Sequence, residues 1–188
     1  MVGGMEHRAF LFDTEKYHAE IEQMILDAGS RGDAAALEQY IDAHLRQLKS
    51  PYTADPLADG WRDELESGDV QELADFVLTL CYDPEADLGL GEDWETLCGA
   101  MEELDLSGGT EYYFIGEEIR AGNFVLDPSG MGMGIIEPDN IELIYDELDG
   151  AAPDLEANDD ELLSELYRSL MEIYETARVH SKGLLMTF

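Results

Sequence analysis

The distribution of charge constrains this chain more than any other feature of its sequence. From Asp63 to Tyr167 it carries 31 acidic residues and a single basic one, Arg120. All 188 residues together have 44 Asp and Glu against 10 Lys and Arg, a formal net charge of -34 at pH 7. So many carboxylates have to lie mainly on the surface of a fold, where their mutual repulsion costs stability at low ionic strength. Such a surface disfavours nucleic acid, anionic lipid and phosphate-bearing substrates, and it favours cations and basic proteins.

The apolar content shows that this charge belongs to a folded protein. Hydrophobic residues make up 45% of the chain, too many for a disordered acidic tail, and aromatic residues extend from Phe10 to Phe188. The first residues lack the pattern of a signal peptide, and no apolar run reaches the ~20 residues that cross a bilayer. We therefore expect a soluble, cytoplasmic protein without a membrane partner. Cys81 and Cys98 fall at helix-core spacings, which predicts two buried, reduced thiols.

Short apolar runs and turn residues predict the order of the elements. Strands are expected at residues 8–12, 112–115, 123–126, 131–136 and 184–188, so one lies at each end of the chain. Apolar residues with helical spacing predict about six helices between them, and a polar linker is expected from 151 to 158. The expected helix caps and breaks are Asp13 or Thr14, Gly29, Asp33, Pro51, Asp69, Pro138, Gly150, and Asp159 or Asp160.

These elements predict one α+β domain over residues 1–188, in which a mixed sheet of about five short strands packs with about six helices. The alternative is a subdivision near residues 106–110. Six residues are expected to share the sheet, namely Phe10, Phe12, Ile115, Val125, Ile135 and Leu185. Eight are expected to pack against it from the helices, namely Leu37, Ile41, Leu73, Phe76, Trp94, Leu97, Leu166 and Leu170.

One loop has the spacing that opens a calcium-binding site. Asp83, Glu85 and Asp87 alternate as in an EF-hand, but the sixth position is Leu88 where glycine is required, and the twelfth is Trp94 where glutamate is required. An EF-hand is excluded on these grounds. A looser cation site that adds Glu92 and Asp93 is the alternative, and the favoured interpretation is an acidic loop between two helices. No metal or other cofactor is predicted.

The remaining motifs do not indicate catalysis. The glycines of residues 130–134 are followed by apolar residues and acids instead of a helix start and a cation, so they favour a tightly packed strand over a phosphate loop. His44 lies on an apolar helix face, and His18 pairs with Glu22 at helical spacing. Chance pairs are expected among 44 acids, so two adjacent carboxylates are not evidence for acid–base catalysis. An enzyme is the less favoured interpretation.

Several stretches of the second half resemble the YfbM-like family of uncharacterised bacterial proteins. They are residues 87–97, which end in a tryptophan helix, the Phe114–Glu118 stretch, the glycine-bearing strand and proline-started helix of 132–141, and the closing helix and strand of 170–188. The resemblance implies an α+β fold of small cytoplasmic bacterial proteins. It brings no established activity and no functional residues.

Three hypotheses about function remain open at this point. The favoured one is a non-catalytic acidic binding protein, such as an immunity-type inhibitor, that docks a basic protein partner through Asp87, Glu92, Asp93 and Glu95. The second is acidity that serves only solubility or adaptation to salt. The first 50 residues, with 9 acids and 5 bases, count against the even spread that salt adaptation predicts. The third is a cation-dependent enzyme that uses the loop from Asp83 to Asp93. The oligomeric state is left open.

Overall fold

A computed structural model describes residues 5–104, 106, 109–156 and 160–188. The described elements begin and end with a strand, as predicted, and depart from the predicted order at residues 112–121. They are β1 (Arg8–Phe12), α1 (Thr14–Lys16), a π-helical segment (Tyr17–Ile21), α2 (Glu22–Arg31), α3 (Ala35–Ala43), a 3-10 helix (Trp61–Glu64), α4 (Val70–Leu78), α5 (Trp94–Met101), α6 (Tyr112–Ile115), β2 (Arg120–Ala121), β3 (Phe124–Val125), β4 (Met133–Ile136), α7 (Pro138–Glu156), α8 (Glu161–Val179) and β5 (Gly183–Thr187).

The central sheet has three strands in the order β1-β5-β4. Strand β5 lies in the middle and pairs antiparallel with both neighbours, so that Leu185 faces Phe10 on one side and Ile135 on the other. A continuous apolar run suits this position because both faces of a central strand are covered. The predicted α+β class and the terminal strands are confirmed. The prediction of a mixed sheet is wrong, because every described strand pair is antiparallel.

The two faces of the sheet cover two different cores, because neighbouring strand residues point to opposite sides. One face contributes Phe12, Ile135 and Leu185 to a cluster that includes α2, α3 and α4. The other face contributes Ile136 and Leu184 to a cluster that includes α5, α7 and α8. The eight predicted helix residues divide between them. Leu37, Ile41, Leu73 and Phe76 belong to the first core, and Trp94, Leu97, Leu166 and Leu170 belong to the second.

The strand predicted at residues 112–115 is a single turn of helix, α6. Tyr113 and Phe114 are both buried in the second core, which neighbouring residues of a strand could not be. Gly116, with a φ of 75°, ends the turn. Glu117 then exchanges two backbone hydrogen bonds with Ile135 at 2.9 Å. The expectation that Ile115 shares the sheet is therefore wrong, and only a single-residue bridge pairs this segment with β4.

Val125 is also outside the central sheet, in the separate hairpin formed by β2 and β3. The hairpin packs on α2, where the ring of Phe124 lies over Gly29. A Cβ atom at Gly29 would lie 2.3 Å from that ring, so this glycine permits a close approach instead of ending the helix as predicted. The helix continues to Arg31, and Gly32, with a φ of 65°, supplies the left-handed residue that follows it.

Other helix boundaries follow their predicted caps in part. The side chains of Asp13, Asp69 and Asp160 each accept a backbone hydrogen bond at a helix start, as predicted. Helix α7 begins at Pro138 as expected but does not end at Gly150. The helix reaches Glu156, so the prediction of a linker is wrong over residues 151–156. The last two residues of the predicted linker, 157 and 158, lie outside the described residues. The buried Leu155 explains the extension, because the added turns contribute to the second core.

Trp94 provides a test of how the second core is held to the N-terminal segment. Its indole Nε1 donates a hydrogen bond to the backbone oxygen of Met5 at 2.9 Å, and its ring lies 4.5 Å from that of Phe188 and 5.8 Å from that of Phe114. The residue is only partly buried.

We therefore expect Trp94→Ala to lower the free energy of unfolding by about 3 kcal/mol, at the lower end of the range for large-to-small substitutions. Trp94→Phe keeps most of the ring contact and loses the hydrogen bond, so about 1 kcal/mol is expected. Urea denaturation of both variants measures the difference. Equal losses would show that the ring contacts contribute nothing beyond the hydrogen bond.

Candidate functional site

The loop that carries the predicted docking residues is joined to the outer edge of β1. His7 and Gly91 exchange two backbone hydrogen bonds at 3.0 and 3.1 Å, and the amide of Leu88 donates to the oxygen of Ala9 at 2.7 Å. A Cβ atom at Gly89 would lie 2.1 Å from the oxygen of His7, so only glycine allows this approach. The loop thus occupies an edge that would otherwise expose unpaired backbone groups.

The buried side chain of His7 fixes the same loop from within. Its Nε2 donates to the oxygen of Phe114 at 2.7 Å, which leaves Nδ1 to accept from the amide of Leu90 at 3.2 Å. Burial lowers the pKa of His7 to about 4, against the opposing effects of Phe114 and Asp87. The ring is therefore neutral at pH 7, and it connects β1, α6 and the loop.

The four predicted docking residues lie on this loop and on the start of α5. All four are exposed. Asp87 has an additional structural role, because its Oδ1 accepts from the amides of Ala9 at 3.1 Å and Gly89 at 2.8 Å. Glu92 and Asp93 precede α5, and Glu95 lies in its first turn. The structure thus places these carboxylates along one anchored segment.

The acids of the predicted cation loop do not converge on a common point. Asp83 Oδ1 accepts from Lys49 Nζ and from the amide of Glu85, both at 3.1 Å, while Asp87 is engaged with β1. Within the described ranges, no group of three or more His, Cys, Asp or Glu side chains has the arrangement of a metal site. The Asp83 and Asp87 carboxylates are thus engaged in separate local contacts that do not form a cage for a cation.

We accordingly expect millimolar calcium to raise the melting temperature no more than sodium chloride of equal ionic strength. Both salts screen the carboxylates, and this loop offers calcium neither the glycine nor the bidentate glutamate that it requires. Differential scanning fluorimetry measures the two effects. A calcium-specific rise that disappears in Asp83→Asn would show that the loop binds the ion.

The other motifs singled out from the sequence have structural roles. A Cβ atom at Gly134 would lie 2.1 Å from the oxygen of Ile115, so the glycine allows β4 to pack against this neighbouring segment. The ring of His44 stacks on Tyr40 with 3.9 Å between centroids. Both cysteines are buried and unbonded, and burial raises the pKa of the Cys81 thiol to about 12. The predicted burial of the thiols is confirmed.

A cleft of about 160 Å³ lies on the sheet face that carries Ile135 and Leu185, at the end of the sheet where β1 begins. Its floor includes the last row of paired strand residues, in which Thr187 lies between Arg8 and Met133. Helix α4 and the loop after Ser50 provide its walls. The side chains on which its chemistry depends are Arg8, Phe10, Tyr52, Asp75 and Tyr82. We refer to this site as the Asp75 cleft.

Asp75 supplies a carboxyl group to the lining of the cleft. The Tyr82 hydroxyl donates to its Oδ1 at 3.3 Å, and the Tyr82 ring lies 4.9 Å from that of Phe10. Burial raises the pKa of the Asp75 carboxyl to about 7, and the Tyr82 hydrogen bond partly opposes it. The charge of Glu72 adds to the rise and that of Arg8 counteracts it. This carboxyl changes its charge near neutral pH, unlike an ordinary aspartate.

Glu72 holds the wall of the cleft together. Its carboxylate accepts backbone hydrogen bonds from Glu66 and Ser67 at 2.9 Å and from Gly68 at 2.8 Å, together with one from the Tyr52 hydroxyl at 2.9 Å. Although burial alone would raise the pKa of Glu72, these bonds lower it to about 2. The charged carboxylate thereby fixes both the start of α4 and the tyrosine at the mouth of the cleft.

We expect Glu72→Gln to lower the free energy of unfolding by about 3 kcal/mol at pH 7, which corresponds to the depressed pKa. The contribution of a lowered carboxyl pKa is fully present above the unfolded-state value and is lost as pH falls through the folded-state value. The difference between wild type and variant should therefore shrink from pH 4.5 toward pH 2. Urea denaturation across this range measures it, with the exposed Glu165→Gln as control. A difference that does not change with pH would contradict the ionic explanation.

Sequence reasoning did not find the Asp75 cleft. The sequence carries one signal, because Asp75 interrupts the run from Leu73 to Leu78, in which the other residues are all apolar; in the structure those other residues are buried. A carboxylate in a helix covered on nearly all sides is rare and marks a position worth testing. The partners that make it a cleft come from β1, β4, β5 and three loops, and their convergence depends on the tertiary fold.

No protein-family model, curated protein or solved structure matches this chain. The YfbM-like resemblance therefore stays a prediction. In the parts of the chain that the structure describes, no helix has the length and apolarity to cross a membrane.

Proposed function

We propose that this protein is a non-catalytic acidic binding protein that docks a basic protein partner. The proposed contact surface, which we call the acidic loop, consists of Asp87, Glu92 and Asp93 together with Glu95 from the first turn of α5. The observation that carries the proposal is that exposed carboxylates lie on a segment bonded to the edge of the central sheet. An immunity-type inhibitor is one form that such a protein takes, and a nucleic-acid enzyme is a suitable partner because its basic surface already accepts phosphates.

Anchoring of the loop matters because binding loses affinity when a mobile segment has to become ordered. Here the backbone is fixed by Leu88, Gly91 and the ring of His7 before any partner arrives. The net charge of -34 adds long-range attraction for a basic surface, which raises the association rate more than the lifetime of the complex. The same field opposes DNA and RNA.

The competing explanation is that the acids serve solubility or salt adaptation on a YfbM-like fold. It assigns no special role to the loop, so any three exposed acids should be equivalent. We use Glu92→Gln/Asp93→Asn/Glu95→Gln to test the loop and leave Asp87 in place, since it supports the backbone of Ala9 and Gly89. The matched control is Glu142→Gln/Asp146→Asn/Asp149→Asn, which removes three exposed charges from α7.

We expect a basic protein captured from the source cell by the wild-type chain to associate more slowly with the loop variant and unchanged with the control. Biolayer interferometry should show about tenfold slower association at low salt, where attraction acts over the longest range. The effect should shrink as the Debye length falls to about 8 Å at physiological ionic strength. Polylysine, measured in parallel, reports attraction that depends on total charge alone.

An equal decrease in association rate in the two triple variants would show that the charge acts without a docking surface. Binding of the wild type to duplex DNA at physiological salt would contradict the electrostatic basis of the proposal.

A further inference from the structure

We propose that the Asp75 cleft binds a small organic ammonium ion. The Asp75 carboxylate would pair with the ammonium group, and the rings of Phe10, Tyr52 and Tyr82 would surround the carbon skeleton. The inference concerns a different surface from the acidic loop and does not rest on it.

The size of the cleft limits the ligand. A volume of about 160 Å³ is close to that of engineered cavities of about 150 Å³, which take up a benzene ring. The cleft therefore suits a ligand of one ring or a short chain, with a polar end for Asp75. A peptide or a nucleotide is too large for it.

The charges around Asp75 indicate a cation. Among the described residues, the hydrogen bond at its carboxylate comes from a neutral hydroxyl, that of Tyr82, and no ion pair is formed there. Arg8 at the rim is half exposed and is directed to Glu6, with 3.9 Å between Nη2 and Oε2. Asp75 is partly buried, and withdrawing a carboxylate from water without a cationic partner is costly, so an ammonium ion would supply the missing charge.

The aromatic rings favour the same class of ligand. Organic ammonium ions are attracted to the faces of tyrosine and phenylalanine, and the attraction grows when water is excluded. Tyr52 is held in position by its hydrogen bond to Glu72, and Tyr82 by its contacts with Phe10 and Asp75. The cleft is thus formed before a ligand enters.

Ionisation of Asp75 gives binding at the cleft a dependence on pH. The groups that influence it are Arg8 from β1, Glu72 from α4, and Tyr82 after that helix, while Tyr52 faces it from the loop. Because its pKa is about 7, the carboxyl is mostly protonated at pH 6 and mostly charged at pH 8. An ammonium ion binds the charged form, so its affinity should rise about tenfold between these values.

The test is isothermal titration of the full chain with benzylamine in 0.15 M sodium chloride at pH 6 and pH 8. Benzylamine stays protonated at both, and benzyl alcohol serves as its uncharged analogue. We expect saturable binding of benzylamine that is about tenfold tighter at pH 8, and no measurable binding of benzyl alcohol. Asp75→Asn should weaken benzylamine binding at pH 8 at least tenfold. The matched control Asp146→Asn, which removes an exposed charge, should leave it unchanged.

A second measurement on the wild type does not depend on the folding of any variant. Titration at pH 7 in buffers of different ionisation enthalpy should show release of about half a proton per benzylamine bound, as Asp75 gives up its proton. Absence of saturable binding, equal binding of benzyl alcohol, or binding without proton release would each overturn the proposal. Because Asp75 is outside the acidic loop, any of these results would leave the docking proposal unaffected.

Discussion

The pairing of β1 with β5 is the interaction on which the rest of the structure depends. It joins the N-terminal and C-terminal segments over five residue pairs, from Arg8 with Thr187 to Phe12 with Gly183. Because β5 is central, its side chains enter both cores, Leu185 on one face and Leu184 on the other. The same pairing creates the floor of the Asp75 cleft, since the row formed by Arg8 and Thr187 continues into β4. The acidic loop depends on it as well, because it is bonded to the outer edge of β1.

The fold accommodates its excess of carboxylates by giving a few of them internal roles. Glu72 and Asp87 accept backbone hydrogen bonds, and Asp13, Asp69 and Asp160 cap helices. Ion pairs at the surface contribute much less, since exposed pairs are worth about 0–1 kcal/mol. Stability therefore comes from the two apolar cores, and the many remaining exposed acids oppose it at low salt.

The sequence predicted the features that depend on local chemistry. Terminal strands, the helix start at Pro138 and the caps at Asp69 and Asp160 all follow from neighbouring residues. The errors have a common cause in contacts between distant segments. Gly29, which the local pattern predicts as a helix end, accommodates the ring of Phe124. Residues 112–115 form a helical turn because two adjacent side chains enter one core. The cleft was missed for the same reason, since no local pattern brings β1 beside α4.

Asp75 and the acidic loop show that one residue type has two different physical roles in this chain. Glu92, Asp93 and Glu95 are in water, so their influence on a partner is long-range and weakened by salt. Asp75 is partly buried in the cleft, so its influence acts mainly there and depends on whether it carries a proton. Added salt should therefore act mainly on the loop, whereas a change of pH around neutrality should act mainly on the cleft. A single acidic composition thus provides two surfaces that respond to different solution conditions.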